Sequence, residues 1–163
     1  MISKLKAILS KAELVAVAVS LFGFYQRFYT DSRDTLFLMI GLSLLAGVFF
    51  LRAFQVLEPS ENTPPDSKAS PKELYTLIVW KVMHIGAAVA LDGLLFYFLD
   101  LKGYANMLVI GCASMAGGTI ACSLFLAGEN RYADAVKGGI MKILIILLAC
   151  GTIIYKAWPL QFN

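Results

Sequence analysis

The sequence predicts an all-α polytopic membrane protein, a bundle of five transmembrane helices with a cytoplasmic N-terminus. Three observations predict it. Of the 163 residues, 59% are hydrophobic and 15% charged, with a mean hydropathy of +0.74; a water-soluble domain carries ~25% charged residues to cover its exterior. The apolar residues gather in runs near the roughly 20 that cross ~30 Å of hydrocarbon. The basic residues are also divided unevenly between the loops on the two sides. This composition excludes a soluble domain, a disordered tail and a collagenous chain. The net charge of +3 is small and dispersed, which excludes a nucleic-acid footprint.

The first predicted helix, 12–29, is the weakest, because only Leu14 to Gln26 lies between Glu13 and Arg27. It spans if Arg27 snorkels toward the headgroups and Phe28 and Tyr29 complete the last turn. A four-helix alternative leaves this segment on the membrane surface. The second helix, 35–57, carries one charge, Arg52, near its far end. The third, 72–100, is interrupted by Lys81, His84 and Asp92, the fourth, 104–128, is uncharged, and the fifth, 138–157, carries Lys142 near its start. These helices form a single transmembrane domain over 1–163 with a flexible cytoplasmic linker at 58–71.

Charge placement favours five helices over four. With five, one side receives Lys4, Lys6, Lys11, Arg52, Lys68, Lys72, Arg131, Lys137 and Lys142, and the other Arg27, Arg33, Lys102 and Lys156, with Lys81 left in the membrane: nine against four. If the first segment does not span, the lysines before it change sides and the bias vanishes, at six against seven. The positive-inside rule then puts the N-terminus in the cytoplasm and the C-terminus outside.

The loops agree. Thr30 to Asp34 and Asp100 to Gly103 are tight polar turns. The connection from Glu58 to Glu73 holds four of the five prolines and has nothing apolar to pack, so it reads as a linker. Ser70, Pro71 and Glu73 form a helix-start signature: a capping Ser, Pro in the first turn, and Glu three residues after the cap. The loop from Glu129 to Lys137 is short and mixed in charge. No Ala-x-Ala cleavage pattern follows the basic N-terminal stretch, so the first helix is expected to be a retained anchor, in a bacterial cytoplasmic (inner) membrane. No internal repeat of the kind that marks inverted-repeat transporters is evident.

The third helix carries the polar residues that invite a functional reading. Lys81, His84 and Asp92 fall along one stripe: at ~100° per residue Lys81 and Asp92 point within ~20° of each other, with His84 ~60° aside. Intramembrane ionisable groups tend to face a protein interior or a watery cavity, which makes the stripe the default functional site. A structural reading competes with it. Lys81 is able to snorkel, His84 to hydrogen-bond between helices, and Asp92 to pair with Arg27, its match in depth. Arg52, Lys81 and Lys142 form a second constellation near the cytoplasmic interface, suited to an anionic lipid or anionic substrate, or to plain snorkelling.

Small residues mark packing surfaces, since van der Waals contact between backbones replaces the hydrophobic effect in lipid. Ala113, Gly117 and Ala121 form one row of the fourth helix, Ser114, Gly118 and Cys122 the adjacent one, and the third helix offers Gly86, Ala90 and Gly93. The fourth helix is thus central or an oligomer interface, with Gly117 and Gly118 expected at its tightest contacts. Cys112, Cys122 and Cys150 lie within spans, without a Cys-x-x-Cys pair, and read as inert thiols. With one histidine, a multi-His metal site and bis-His haem ligation are excluded. No catalytic motif or nucleotide-binding loop is present. No cofactor, metal or nucleic-acid partner is expected. Three functional expectations remain: a non-enzymatic subunit or scaffold of a membrane complex, in contact with lipid and with other subunits or its own copies; a small oligomeric ion- or proton-coupled transporter or channel using the third-helix stripe; and a lipid-modifying enzyme, for which the sequence offers almost no positive sign.

Reporter fusions test the predicted orientation. A reporter in the linker should score as cytoplasmic and one at Asn163 as external; the same side for both would remove the five-helix topology.

Overall fold

The computed structural model describes residues 2–29, 35–55, 57, 71–126 and 132–161. Among them the chain forms five helices and no strand: α1 (Ile2–Tyr29), α2 (Leu36–Ala53), α3 (Pro71–Phe98), α4 (Tyr104–Leu126) and α5 (Ala133–Gln161). All five are long and apolar enough to cross a membrane, including the first, whose apolar stretch covers Lys6–Tyr29. The exterior is what a bilayer requires. Leu14, Ile110, Ile145 and Leu148 are among many large apolar side chains left exposed, with Leu148 at 73%. In water such a surface would drive aggregation; against lipid tails it has no such cost.

The helix bounds differ from expectation mainly at the ends. α1 begins ten residues before the expected start at position 12, because the basic stretch ahead of its apolar run continues the helix. α5 is likewise extended at both ends, beginning at Ala133. α2 stops at Ala53, short of the expected end at 57. Its last carbonyls are satisfied locally, with Phe54 N–H donating to Leu51 O and Gln55 N–H to Arg52 O, both at 3.1 Å. The capping role expected of Ser70 lies outside the described residues, as do the Thr30 to Asp34 turn and nearly all of the linker.

α3 ends in a tight turn closed by two hydrogen bonds. Leu101 N–H donates to Phe96 O (2.9 Å) and Asp100 N–H to Tyr97 O (3.3 Å). Asp100 takes φ +53°. This is the paired hydrogen-bond pattern of a Schellman cap, with an aspartate in the left-handed position usually held by glycine. Gly103, at φ +93°, then accepts from Met107 N–H and starts α4.

α3 is the centre of the bundle. It packs on α2, α4 and α5, while the backbone of α1 packs on α2 and its side chains reach α3 and α5. The backbones of α1 and α5 do not approach each other. The α3–α4 seam is built on small residues. A Cβ at Gly111 would lie 2.6 Å from the Ala90 nitrogen, and one at Gly86 would lie 2.7 Å from the Ser114 Cβ. Further along the seam Gly118 accommodates the Met83 side chain. The α1–α2 crossing uses Gly41, where an added Cβ would lie 2.5 Å from the Ser20 nitrogen. The two α4 rows therefore differ. Ser114, Gly118 and Cys122 face α3, whereas Ala113 and Gly117 are exposed and Ala121 is half-buried. Nothing lies within 4 Å of a Cβ at Gly117, so the expectation of equally tight contacts at both glycines holds for Gly118 and not for its neighbour.

Leucine at the two positions should separate the rows. Gly118→Leu is expected to cost about 1–3 kcal/mol by overpacking against Met83 and to lower the unfolding temperature in detergent. Gly117→Leu should leave it unchanged. Equal loss at both positions would show that Gly117 also lies in a packed seam.

Candidate functional site

The polar centre of the bundle is assembled around a residue that the sequence presents only as the edge of an apolar run. Glu13 lies seven residues inside the α1 span, about 10 Å along the helix axis at 1.5 Å per residue. Its side chain is 12% exposed. A bare carboxylate there would carry a heavy desolvation cost, and it is met by two cations from other helices. Arg52 Nη2 of α2 donates to Glu13 Oε2. Lys142 Nζ of α5 donates to both carboxylate oxygens, at 2.8 and 2.9 Å.

The aromatic and imidazole side chains of α3 complete the arrangement. Trp80 Nε1 donates to the Arg52 carbonyl at 3.4 Å, a second donor on the oxygen that already accepts from Gln55 N–H. The far edge of the same indole lies against Gly139 of α5, one turn before Lys142. One circuit of contacts therefore runs from α1 through Glu13 to Arg52 on α2, through Trp80 on α3 to Gly139 on α5, and back through Lys142. His84, 1% exposed, sits beneath it. Its Nδ1–H donates to Trp80 O at 3.0 Å, and its ring lies between Trp80 (centroids 4.0 Å apart) and Phe49 (5.8 Å).

The expected cation constellation divides accordingly. Arg52 and Lys142 do converge, but on a carboxylate. Lys81 is exposed on the outside of α3. The expected polar stripe divides in the same way. Lys81 and Asp92 share a line with Ile78 and Ile85 on the outer side of the helix, and Asp92 is half-buried there. His84, rotated ~60° from that line, is carried inside. Eleven residues separate Lys81 from Asp92, about 16 Å along the axis, so they cannot pair with each other. Asp92 and Arg27 make no ion pair among the described residues. Arg27 instead lines a cavity at the opposite end of the bundle, with Asp100, Tyr97 and Tyr104.

Two adjoining cavities lie between α1 and α5. One, of about 350 Å³, is apolar along its length and closed at one end by Glu13 and Lys142, with Leu42, Leu45 and Leu91 on its floor. The other, of about 750 Å³, is the wider mouth near Arg27 and Asp100. Phe24, Leu94 and Ala149 line both. The thiols of Cys112 and Cys150 lie side by side between α4 and α5, and Cys150 also faces Ala90 O at 3.9 Å. Thirty-eight positions apart in sequence, these cysteines gave no sign of being neighbours.

Removing one member of the ion cluster should test its structural weight. Glu13→Gln leaves two cations facing each other in a poorly solvated site and is expected to destabilise the protein by about 3–5 kcal/mol. Replacing all three charges together, with Glu13→Leu, Arg52→Met and Lys142→Met, should recover most of that loss. A Glu13→Gln protein with unchanged thermal unfolding in detergent would show that the carboxylate does not hold the helices. No family model, curated protein or solved structure matches this chain, so its functional reading rests on these side chains.

Proposed function

We propose that this is a non-enzymatic integral membrane subunit that scaffolds a larger membrane assembly. The observation that carries this reading is how its intramembrane charges are used. Glu13, Arg52 and Lys142 are engaged in fastening three helices to one another. His84 is walled in by Trp80 and Phe49 instead of lining an opening. Lys81 and Asp92 look outward from α3. Such a division favours a fixed framework over an alternating one, because a transport site needs ionisable groups that meet water.

The outer face of α4 supports the same reading. Ala113 and Gly117 are exposed there, and the adjoining row already packs in the α3 seam. A face of this kind permits close approach by another transmembrane helix. A bacterial cytoplasmic membrane is the location we assign, from the charge asymmetry of the loops. The transport alternative rests on Asp92, an intramembrane acid well inside α3 and outside the ion cluster.

Purification in mild detergent tests the proposal. The native protein should elute with stoichiometric partner subunits, and Gly117→Leu should release them without lowering its own unfolding temperature. A protein that elutes alone, or a homo-oligomer that conducts ions when reconstituted and stops doing so on Asp92→Asn, would overturn it.

A further inference from the structure

We propose that the cleft between α1 and α5 is a binding site for one zwitterionic phospholipid carrying a primary ammonium, with phosphate on Arg27, ammonium on Asp100 and an acyl chain in the apolar groove. The groove fits a chain and not a helix. From Phe24 to Glu13 is eleven residues of α1, about 16 Å, close to the ~15 Å that one leaflet contributes to a ~30 Å hydrocarbon core. A helix ~10 Å across would displace more than ~1,200 Å³ over that length. The apolar groove offers about 350 Å³. Its walls there are mainly aliphatic and aromatic side chains, the Ser20 hydroxyl among them is turned back onto Ala16 O at 2.8 Å, and the charged groups are confined to the end at Glu13 and Lys142.

The mouth supplies complementary charges for a headgroup. Arg27 and Asp100 line the same 750 Å³ space and form no ion pair with each other among the described residues. An arginine alone would favour an anionic headgroup; an aspartate beside it opposes that and suits a cation. The backbone of the aspartate is held by the turn, since its own N–H donates to Tyr97 O and that of Leu101 to Phe96 O. Tyr97 and Tyr104, edge to face at 5.3 Å, form part of the wall. A primary ammonium can donate to the carboxylate, which a trimethylated one cannot. Phe24, Leu94 and Ala149 line both the mouth and the groove, so the places for head and chain adjoin. This inference is independent of the scaffold reading, which depends on protein partners and the α4 face.

The full chain would be reconstituted into nanodiscs of equimolar phosphatidylethanolamine, phosphatidylcholine and phosphatidylglycerol with identical acyl chains. After extraction in mild detergent, retained lipid is identified by native mass spectrometry. One phosphatidylethanolamine should be retained in about tenfold excess over phosphatidylglycerol, the ratio sustained by one charge-assisted hydrogen bond. Asp100→Asn should erase that excess while keeping the turn, because asparagine tolerates positive φ. Arg27→Gln should reduce retention of all three lipids. Ala149→Trp and, from the opposite wall, Leu21→Trp should each block the groove and abolish retention. Equal or preferential retention of phosphatidylglycerol or phosphatidylcholine by the native chain would overturn the proposal. So would undiminished retention in a folded protein carrying either tryptophan.

Discussion

A carboxylate some 10 Å inside a transmembrane helix must find its counter-charges within the protein, and Glu13 finds them on two helices far from its own in sequence. Arg52 stands at the end of α2 and Lys142 a few turns into α5, and only the convergence of three helices brings them together. Hydrophobic association is weak between helices surrounded by lipid. An ion cluster with few alternative partners therefore contributes orientation as well as attraction. With one carboxylate against two cations, the cluster carries a surplus positive charge, and the half-exposed Lys142 is the member able to relieve it toward the headgroups.

The second source of order is the run of close backbone contacts on either side of α3. Gly86 and Gly111 bring α4 in at one height, and Gly118 opens a place for Met83 at another. Trp80 performs the reverse operation on the α5 side, filling the space left by Gly139. Packing of this kind is short-ranged and unforgiving, which suits it to fix the rotation of α3. That rotation then decides which ionisable groups point inward. His84 enters the core, and Lys81 and Asp92 do not.

Much of the fold was legible in the sequence because span length and hydropathy are properties of continuous segments. Five apolar runs became five helices, and the small-residue faces of α3 and α4 were recognisable from their i, i+4 spacing. What stayed hidden depended on the azimuth of each helix. A stripe on α3 could be drawn from periodicity, but the position of its neighbours was needed to tell inside from outside. Most of the expected polar site consequently turned outward. Glu13 was overlooked for a related reason: next to Lys11, and at the start of an apolar run, it resembled a boundary. The signal that could have found it was electrostatic, since α2 and α5 each carry one cation at a depth that a carboxylate on α1 can match.

The cluster and the cleft are consequences of the same geometry. Glu13 and Lys142 meet through the ends of their side chains, so the pair joins α1 to α5 while holding the two backbones apart. Glycine seams draw α4 to α3 and α1 to α2, but α1 and α5 have no such seam. Toward the other end the space between them widens, with Phe24 resting edge-on against Phe98 of α3 at 5.2 Å and helping to keep the mouth from collapsing. A gap of this sort in a bilayer cannot stay empty, because unfilled apolar volume forfeits dispersion contacts on every wall. Water gains little along the apolar length of the groove, where the Ser20 hydroxyl already donates to Ala16 O. Hydrocarbon is the remaining filler, and the charges at the mouth determine what it is attached to.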